Sequence, residues 1–502
     1  MAYLTPLSEG DWSPLMASHL AWRMGLGETP DVYEALYQKG LQGSVDFFLS
    51  QFEGGSEFGR SVGYEKITYQ EKMDQITAIR QKIKTTTDPK EKKVLEGEKE
   101  QLQRESNRIR NQSLEEMNLE WISHINSTTR PFSQKLLLFW HNHFSISGEK
   151  VEAPWMASYI DLLLSKGLSK WGELLLEIAR HPAMLVHLDN QSNVKGHPNE
   201  NFARELMELF SLGVGNYTEE DVQQSARAFT GWTFDHATGQ FTFLKDRHDE
   251  GVKKFFEKEG NWNGDQIITM ILEHPQSSRF LATKIWSFFA YENPEEELVE
   301  EFSQIIRKAN FDLKIAFKTL FQSKAFYSAK ARGTQVKSPI QLISGTLRLL
   351  GLEKLSPRLV ERSMQLMGMD LIHPPDVNGW PSGFRWVNTS TLLLRYNFMN
   401  FVVNGKPLED RQRGGGAVGN AYNPMKLVEG RSFSTASDVV DYFLTYFIQR
   451  PLQSDLRNQL VKYLETDRSG GSSTFDLKNR FAVDKMRGLI HLILSSPDYQ
   501  LC

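Results

Sequence analysis

Between residues 132 and 144 the chain reads Phe-Ser-Gln-Lys-Leu-Leu-Leu-Phe-Trp-His-Asn-His-Phe. A helix this apolar on every side is a buried one. His141, Asn142 and His143 at its end are then costly unless each finds a partner. Imidazoles in that position are candidate metal ligands, and His143 is a candidate general base. The plain alternative is two hydrogen-bonded core histidines. Residues two apart on a helix point about 200° away from each other. Both rings can therefore serve one site only if the helix frays at its end, which the Ser-Ile-Ser-Gly stretch 145–148 favours.

A second helix is expected over 199–212, started by Pro198-Asn199 and closed by Gly213. Phe202, Leu206, Leu209 and Phe210 fall on one side, and Asn201, Arg204, Glu205 and Glu208 on the other. Glu205 and Glu208 are three apart and so are neighbours. Adjacent carboxylates repel unless a cation, a proton or an arginine lies between them. That makes them candidate acid/base groups, or ligands to a hard divalent metal ion with imidazole help. The plain alternative is a solvated face on which Arg204 pairs with Glu208 at i,i+4. Asp189, in the knot His187-Leu188-Asp189-Asn190, and His248, in the loop Arg247-His248-Asp249-Glu250-Gly251, are further candidate ligands. The bland reading of that loop is an Asp-capped turn. Arg227 lies on a helix capped by Thr218 with Asp221. With Arg204 it would orient carboxylates or an anionic substrate.

The third constellation is an irregular loop, His373-Pro374-Pro375-Asp376-Val377-Asn378-Gly379-Trp380-Pro381, leading to Gly383-Phe384-Arg385-Trp386. Asp376, Asn378, Trp380 and Trp386 would bind substrate if the loop walls a sugar or peptide cleft. Otherwise the loop plugs the core. Gly414, Gly416 and Gly419 fit dinucleotide spacing, but the charged stretch before them is no strand, so that reading is set aside.

The elements that must position these groups read mainly as amphipathic helix. The fold class is mainly α: a large multi-helix unit with one small β-hairpin and a projecting helical hairpin. Residues 1–64 form an N-terminal helical region and 65–126 a charged helical hairpin. Residues 127–400 form a helical core that holds the motifs, and 401–502 a loop-rich helical C-terminal cap. In the hairpin Met73, Ile76, Ile79 and Ile83 make one stripe, Leu95, Leu102 and Ile109 another, with Asp88 as N-cap and Pro89 opening the second arm. The β-hairpin is expected at 232–243, where Trp232 and Phe234 alternate with Thr233, and Phe241 and Phe243 follow a turn at Gly239. Glycine- and serine-rich loops are expected at Gly414-Gly415-Gly416 and over 469–473.

Composition bounds the function. The 502 residues are 40% hydrophobic and 24% charged, ordinary for a globular protein. Lysine and arginine number 58 against 62 aspartate and glutamate, a net charge of −4. No basic surplus exists to neutralise a phosphate backbone, so nucleic acid is not an expected partner. No apolar run nears the ~20 residues of a membrane span. Residues 1–30 carry Glu9, Asp11 and Glu28 and no basic-then-apolar leader. A cytoplasmic location is the default expectation, with export open if the N-terminus was trimmed. Cys502 is the sole cysteine, so no internal disulfide or thiolate metal cluster is expected.

Taken in order, Phe139-Trp140-His141-Asn142-His143-Phe144, Leu188-Asp189-Asn190, the 198–209 segment with Asn201, Arg204, Glu205 and Glu208, and Ala226-Arg227-Ala228-Phe229-Thr230-Gly231-Trp232 resemble the bacterial family known as domain of unknown function 1800. So do His248-Asp249-x-Gly251-x-Lys253, Lys337-Ser338-Pro339 and Pro374-Pro375-Asp376-Val377-x-Gly379-Trp380-Pro381. The resemblance runs from about residue 20 to 497 and implies a mainly helical fold without naming a reaction. Genes of that family often stand beside those of an exported sulfatase-like family, which implies a partner or shared pathway at the cell envelope. Phe210 stands where the family pattern has a histidine, and Met369 where it has a glutamine. If that histidine is a ligand in relatives, a metal site here is altered or absent. Two functions are carried forward. One is a metal- or carboxylate-dependent hydrolase or transferase in an envelope or polysaccharide context. The other is a non-catalytic assembly or chaperone-like partner of a sulfatase-like protein.

Overall fold

The computed structural model describes residues 3–52, 66–352, 354–405, 421–450, 454–467 and 469–502. It begins with helix α1 (Pro14–Met24), capped by Ser13 and buried from Ala17 to its end. After two shorter helices, Pro30–Gln38 and Gly40–Ser50, come two antiparallel ones, α2 (Lys66–Thr85) and α3 (Pro89–Ser127). The turn between them forms as the sequence dictates: the Asp88 carboxylate accepts from Lys90 N–H at 2.9 Å and Pro89 takes the first helical position. Ile76, Ile79 and Leu95 are buried in the seam, and Lys72 reaches Glu105 at 2.5 Å. The Met73 side chain and the loop Gly414-Gly415-Gly416 lie outside the described residues.

Composition marks 65–126 as one charged hairpin, but the second arm changes character along its length. At ~1.5 Å per residue, its 39 residues make a rod about 58 Å long. From Leu114 on, Leu114, Met117, Trp121, Ile122 and Ile125 are buried in the main core. The arm is therefore the free end of a core helix. Next comes α4 (Pro131–His143), whose every residue except Asn142 is buried.

Helix α5 (Glu200–Glu205) runs into a π-turn at Leu206–Ser211, and α6 (Glu219–Ala228) carries the capping box foreseen at Thr218 and Asp221. The expected hairpin is present as β1 (Trp232–Phe234) and β2 (Phe241–Phe243), with Trp232 opposite Phe243. A second hairpin, β3 (Lys253–Phe255) with β4 (Lys258–Gly260), corrects the expectation of a single one. Its two turn residues, Phe256 and Glu257, both take positive φ (45° and 61°). Positive φ at both positions is the mark of a tight hairpin turn, usually signalled by Asn-Gly, and here no such residues announce it. Helices α7 (Pro275–Phe289), α8 (Pro339–Leu349) and α9 (Thr389–Asn404) complete the framework around the site. The last stretch closes back on the core: Val336 pairs with Leu501, and Lys337 N–H donates to the Gln500 carbonyl at 2.8 Å. One contiguous apolar core runs from Leu4 to Cys502. No helix among the described residues is long and apolar enough to cross a membrane.

Candidate functional site

Helix α4 holds its geometry to the end: Phe144 N–H still donates to the Trp140 carbonyl at 2.9 Å. His141 and His143 therefore stay on opposite sides. His141 Nε2–H donates to the Leu371 carbonyl at 2.9 Å, and its ring packs against Trp121, Tyr159 and Trp380. His143 Nε2–H donates to the Phe210 carbonyl at 3.1 Å inside a box that includes Trp171, Phe144 and Phe280. A carbonyl only accepts, so each ring carries its proton on Nε2. Burial holds His141 down to about 4. Burial, with the Lys284 charge, holds His143 down to about 3. Both rings are neutral core groups at neutral pH, each used by a different carbonyl, and they share no site.

On α5 the Asn199 side chain caps the helix, accepting from Asn201 N–H at 3.0 Å. Arg204 does not pair with Glu208. Its guanidinium forks onto Glu219 with two 2.8 Å contacts and reaches Glu200 at 3.2 Å. The reason is the π-turn. Leu212 N–H donates five residues back to the Met207 carbonyl at 2.8 Å, and Ser211 Oγ to Leu206 at 2.5 Å. Glu208 instead accepts the Tyr217 hydroxyl at 2.6 Å. Burial, with the Glu208 contact, pushes the Tyr217 hydroxyl up. Glu205 is half-buried and has no hydrogen-bond partner among the described residues. Its carboxyl is raised above the usual range by burial first and by the Glu208 charge second.

Arg227 belongs to a separate corner. It forks onto Asp249 at 2.7 and 3.1 Å and also holds Gln224 and the Val252 carbonyl. The Arg227 hydrogen bond brings Asp249 down to about 2. His248 Nδ1–H donates to the Thr230 carbonyl at 2.9 Å, and Thr230 Oγ accepts from Asp249 N–H at 2.8 Å. This corner ties the loop after β2 to the end of α6. Asp189 lies elsewhere, exposed at φ 58° and 3.3 Å from Lys150. Among the described residues no three His, Cys, Asp or Glu side chains are placed to share an ion. The six proposed ligands (His141, His143, Asp189, Glu205, Glu208, His248) are not gathered, because each imidazole is committed to a backbone carbonyl.

The 373–386 loop divides in the same way. Asp376 and Asn378 turn outward: Asp376 Oδ1 accepts from Asn378 N–H at 2.7 Å, and the Asp376 carbonyl accepts Ser145 Oγ at 2.6 Å. Trp380 is a plug, its Nε1–H on the Asp370 carbonyl at 2.9 Å and its ring against His141. Its backbone N–H donates to Asn142 Oδ1 at 2.7 Å. That approach needs Gly379, which takes φ 83° and whose added Cβ would fall 2.3 Å from the same oxygen. Trp380 and Trp386 also wall a small cleft with Asn142, Phe288, Gln341 and Met369. Its volume of about 90 Å³ is room for roughly three waters at ~30 Å³ each. Binding clefts for drug-sized ligands begin near 300 Å³, and this one is smaller.

Tyr217 and Glu219, the actual partners of Glu208 and Arg204, carried no sequence signal, since both are reached through a loop. Gln341 in the cleft was equally silent. A family model described as protein of unknown function DUF1800 matches residues 19–501. No curated protein and no solved structure matches the chain.

Proposed function

The chain belongs to the DUF1800 family, and from the geometry of its own residues we propose that it is a carboxylate-dependent hydrolase or transferase built on Glu205 and Glu208. The observation that carries this is the contrast within the pair. Glu208 is held by Tyr217 at 2.6 Å, while its neighbour Glu205 is half-buried, unpaired and raised toward the protonated form. A carboxyl raised by burial beside a second carboxyl that a hydroxyl holds in place is an arrangement suited to acid/base work. The π-turn supports it, since such turns occur often at functional sites. In this reading Glu205 gives its proton to the leaving group. Glu208, oriented by the Tyr217 hydroxyl, takes a proton from the attacking water or hydroxyl. Arg204 is a positioning residue, because its fork holds Glu219 rather than substrate. The envelope context of this reading rests on the family's gene neighbourhood alone, which suggests a partner or shared pathway there and names no substrate.

The test is turnover of a panel of nitrophenyl glycosides and nitrophenyl esters by the wild type, Glu205→Gln and Glu208→Gln at matched thermal stability. General acid or base loss predicts a drop of about 10²–10⁴-fold in kcat for each variant. Equal turnover by all three overturns the assignment. A metal ion between the carboxylates is the other way to relieve their repulsion, and elemental analysis of protein purified without chelator reads it directly.

A second reading, a non-catalytic assembly partner for a sulfatase-like protein, is favoured by the dispersal of the other candidates. Arg227, His248, His141 and His143 are all consumed by architecture. Co-purification with that partner, undiminished in Glu205→Gln, supports it over the enzyme.

A further inference from the structure

The hairpin of α2 and α3 concentrates positive charge at its turn. Residues 80–93 carry six cations, Arg80, Lys82, Lys84, Lys90, Lys92 and Lys93, against two carboxylates, Asp88 and Glu91. The whole chain stands at −4, so the rest of it is at −8. All six cations are exposed. Both carboxylates serve the local fold: Asp88 accepts from Lys90 N–H at 2.9 Å, and Glu91 accepts the Thr86 hydroxyl at 2.9 Å. The ion pairs of the hairpin, Lys72 with Glu105 and Arg104 with Glu100, lie below the tip, and none of the six cations has one among the described residues. Ile76, Ile79 and Leu95 are buried between the arms, so the charge sits on a folded rod end. Between Pro89 and Arg104, which shares a groove with Arg358 of the body, lies a stretch of α3 about 22 Å long at ~1.5 Å per residue.

Like charges crowded at one end repel unless an anion lies among them. Screening acts over about 8 Å at physiological salt, so the tip meets an anionic surface while the negative body stays outside its field. The six side chains leave the two arms in different directions, because positions two apart on a helix point about 200° apart. They surround the end of the rod and form no stripe along it, an arrangement that suits a flat array of negative charges met end-on. A protein partner is less well served. The segment has no aromatic residue, the kind of anchor on which protein interfaces depend. Its fourteen residues also fall short of the ~20–30 that one side of a standard interface uses. The same lack of aromatics leaves nothing for nucleic-acid bases to stack on. We propose that the hairpin tip docks on an anionic lipid surface, its six cations among the headgroup phosphates and the body held back. The contact is electrostatic, peripheral and reversible, and it is independent of the Glu205–Glu208 reading.

The test is sedimentation of the full chain with vesicles of phosphatidylglycerol in phosphatidylcholine, at about 30% of the anionic lipid, against phosphatidylcholine alone. Binding should appear on the anionic vesicles only, at about 0.05 M salt, and vanish at about 0.5 M, where the screening length shortens. Lys90→Gln, Lys92→Gln and Lys93→Gln together should weaken it by about 100-fold, at roughly five-fold per charge near the surface. The same three charges removed from the body, by Lys308→Gln, Lys324→Gln and Lys478→Gln, should leave binding close to that of the wild type. Both triple variants change exposed side chains only and should melt with the wild type. No binding to anionic vesicles at low salt, equal binding to both kinds of vesicle, or undiminished binding by the tip variant each overturns the proposal. Retention on double-stranded RNA without vesicle binding assigns the tip to nucleic acid and overturns it too. The vesicle and salt comparisons are read on the wild type, so a folding failure of a variant does not shelter the proposal.

Discussion

Lowering the pH from 7 to 5 should strongly destabilise this protein, and three of its buried histidines account for much of the effect. Burial holds His141 and His187 down to about 4 and His143 down to about 3. In the unfolded chain each titrates near 6.5. The folded values are the lower ones, so the unfolded state takes up protons first as pH falls. Stability is intact above about pH 6.5 and drains away toward pH 4, with His143 continuing toward 3. At pH 5 each imidazole accounts for about 2 kcal/mol of lost stability. The three together cost about 6 kcal/mol, within the whole stability of an ordinary domain, about 5–15 kcal/mol. Thermal melts at pH 7, 6, 5.5 and 5 should show Tm falling steeply below pH 6. In His143→Phe an isosteric ring stays in the aromatic box and forfeits only the 3.1 Å bond to Phe210. That variant should lose about 1 kcal/mol at pH 7 yet close the gap with the wild type, or pass it, by pH 5. A flat Tm between pH 7 and 5, or an unchanged pH profile in His143→Phe, would refute the reasoning.

Three further outcomes follow from the same contacts. Glu205 is raised in the folded state, so the stability it contributes is present below its unfolded pKa and is lost as pH rises through the folded one. Glu205→Gln should therefore melt higher than wild type at pH 7, with the difference vanishing by pH 4, as read by paired melts. Gly379→Ala forces a left-handed φ on an L-residue and drives a methyl into the Asn142 side chain. It should cost about 2–4 kcal/mol, seen as a lower denaturation midpoint. Arg227→Lys keeps the charge but loses the fork onto Asp249 and should destabilise by about 1 kcal/mol, measured by urea unfolding.

What could be read in the sequence was local. The buried character of α4, the Asp88-Pro89 helix start, the Thr218–Asp221 capping box and the Trp232–Phe243 pairing all depend on residues within a few positions of one another. What could not be read depends on distance along the chain or on unsignalled backbone. The π-turn at Leu206–Ser211 redirects Glu208 to Tyr217 and leaves Arg204 for Glu219, fifteen residues on. The second hairpin turns on Phe256 and Glu257, residues that give no turn signal. Trp380 and Trp386 wall a small cleft, while Asp376 and Asn378 beside them face solvent. Asn142 appeared only as the polar residue between two histidines, yet it receives Trp380 from more than two hundred residues away. The two imidazoles flanking it are buried, each donating to a backbone carbonyl.

The central claim is that burial first and the neighbouring Glu208 second raise the Glu205 carboxyl above the usual glutamate range. Carbon-13 NMR of side-chain carboxyls in glutamate-labelled protein, with Glu205 assigned by its absence in Glu205→Gln, measures this directly across pH 3 to 9. The account predicts that Glu205 titrates above the ordinary glutamate value of about 4.3 and moves part of the way back in Glu208→Gln, since burial is the larger cause and remains. An ordinary titration of Glu205, unmoved by Glu208→Gln, would contradict it.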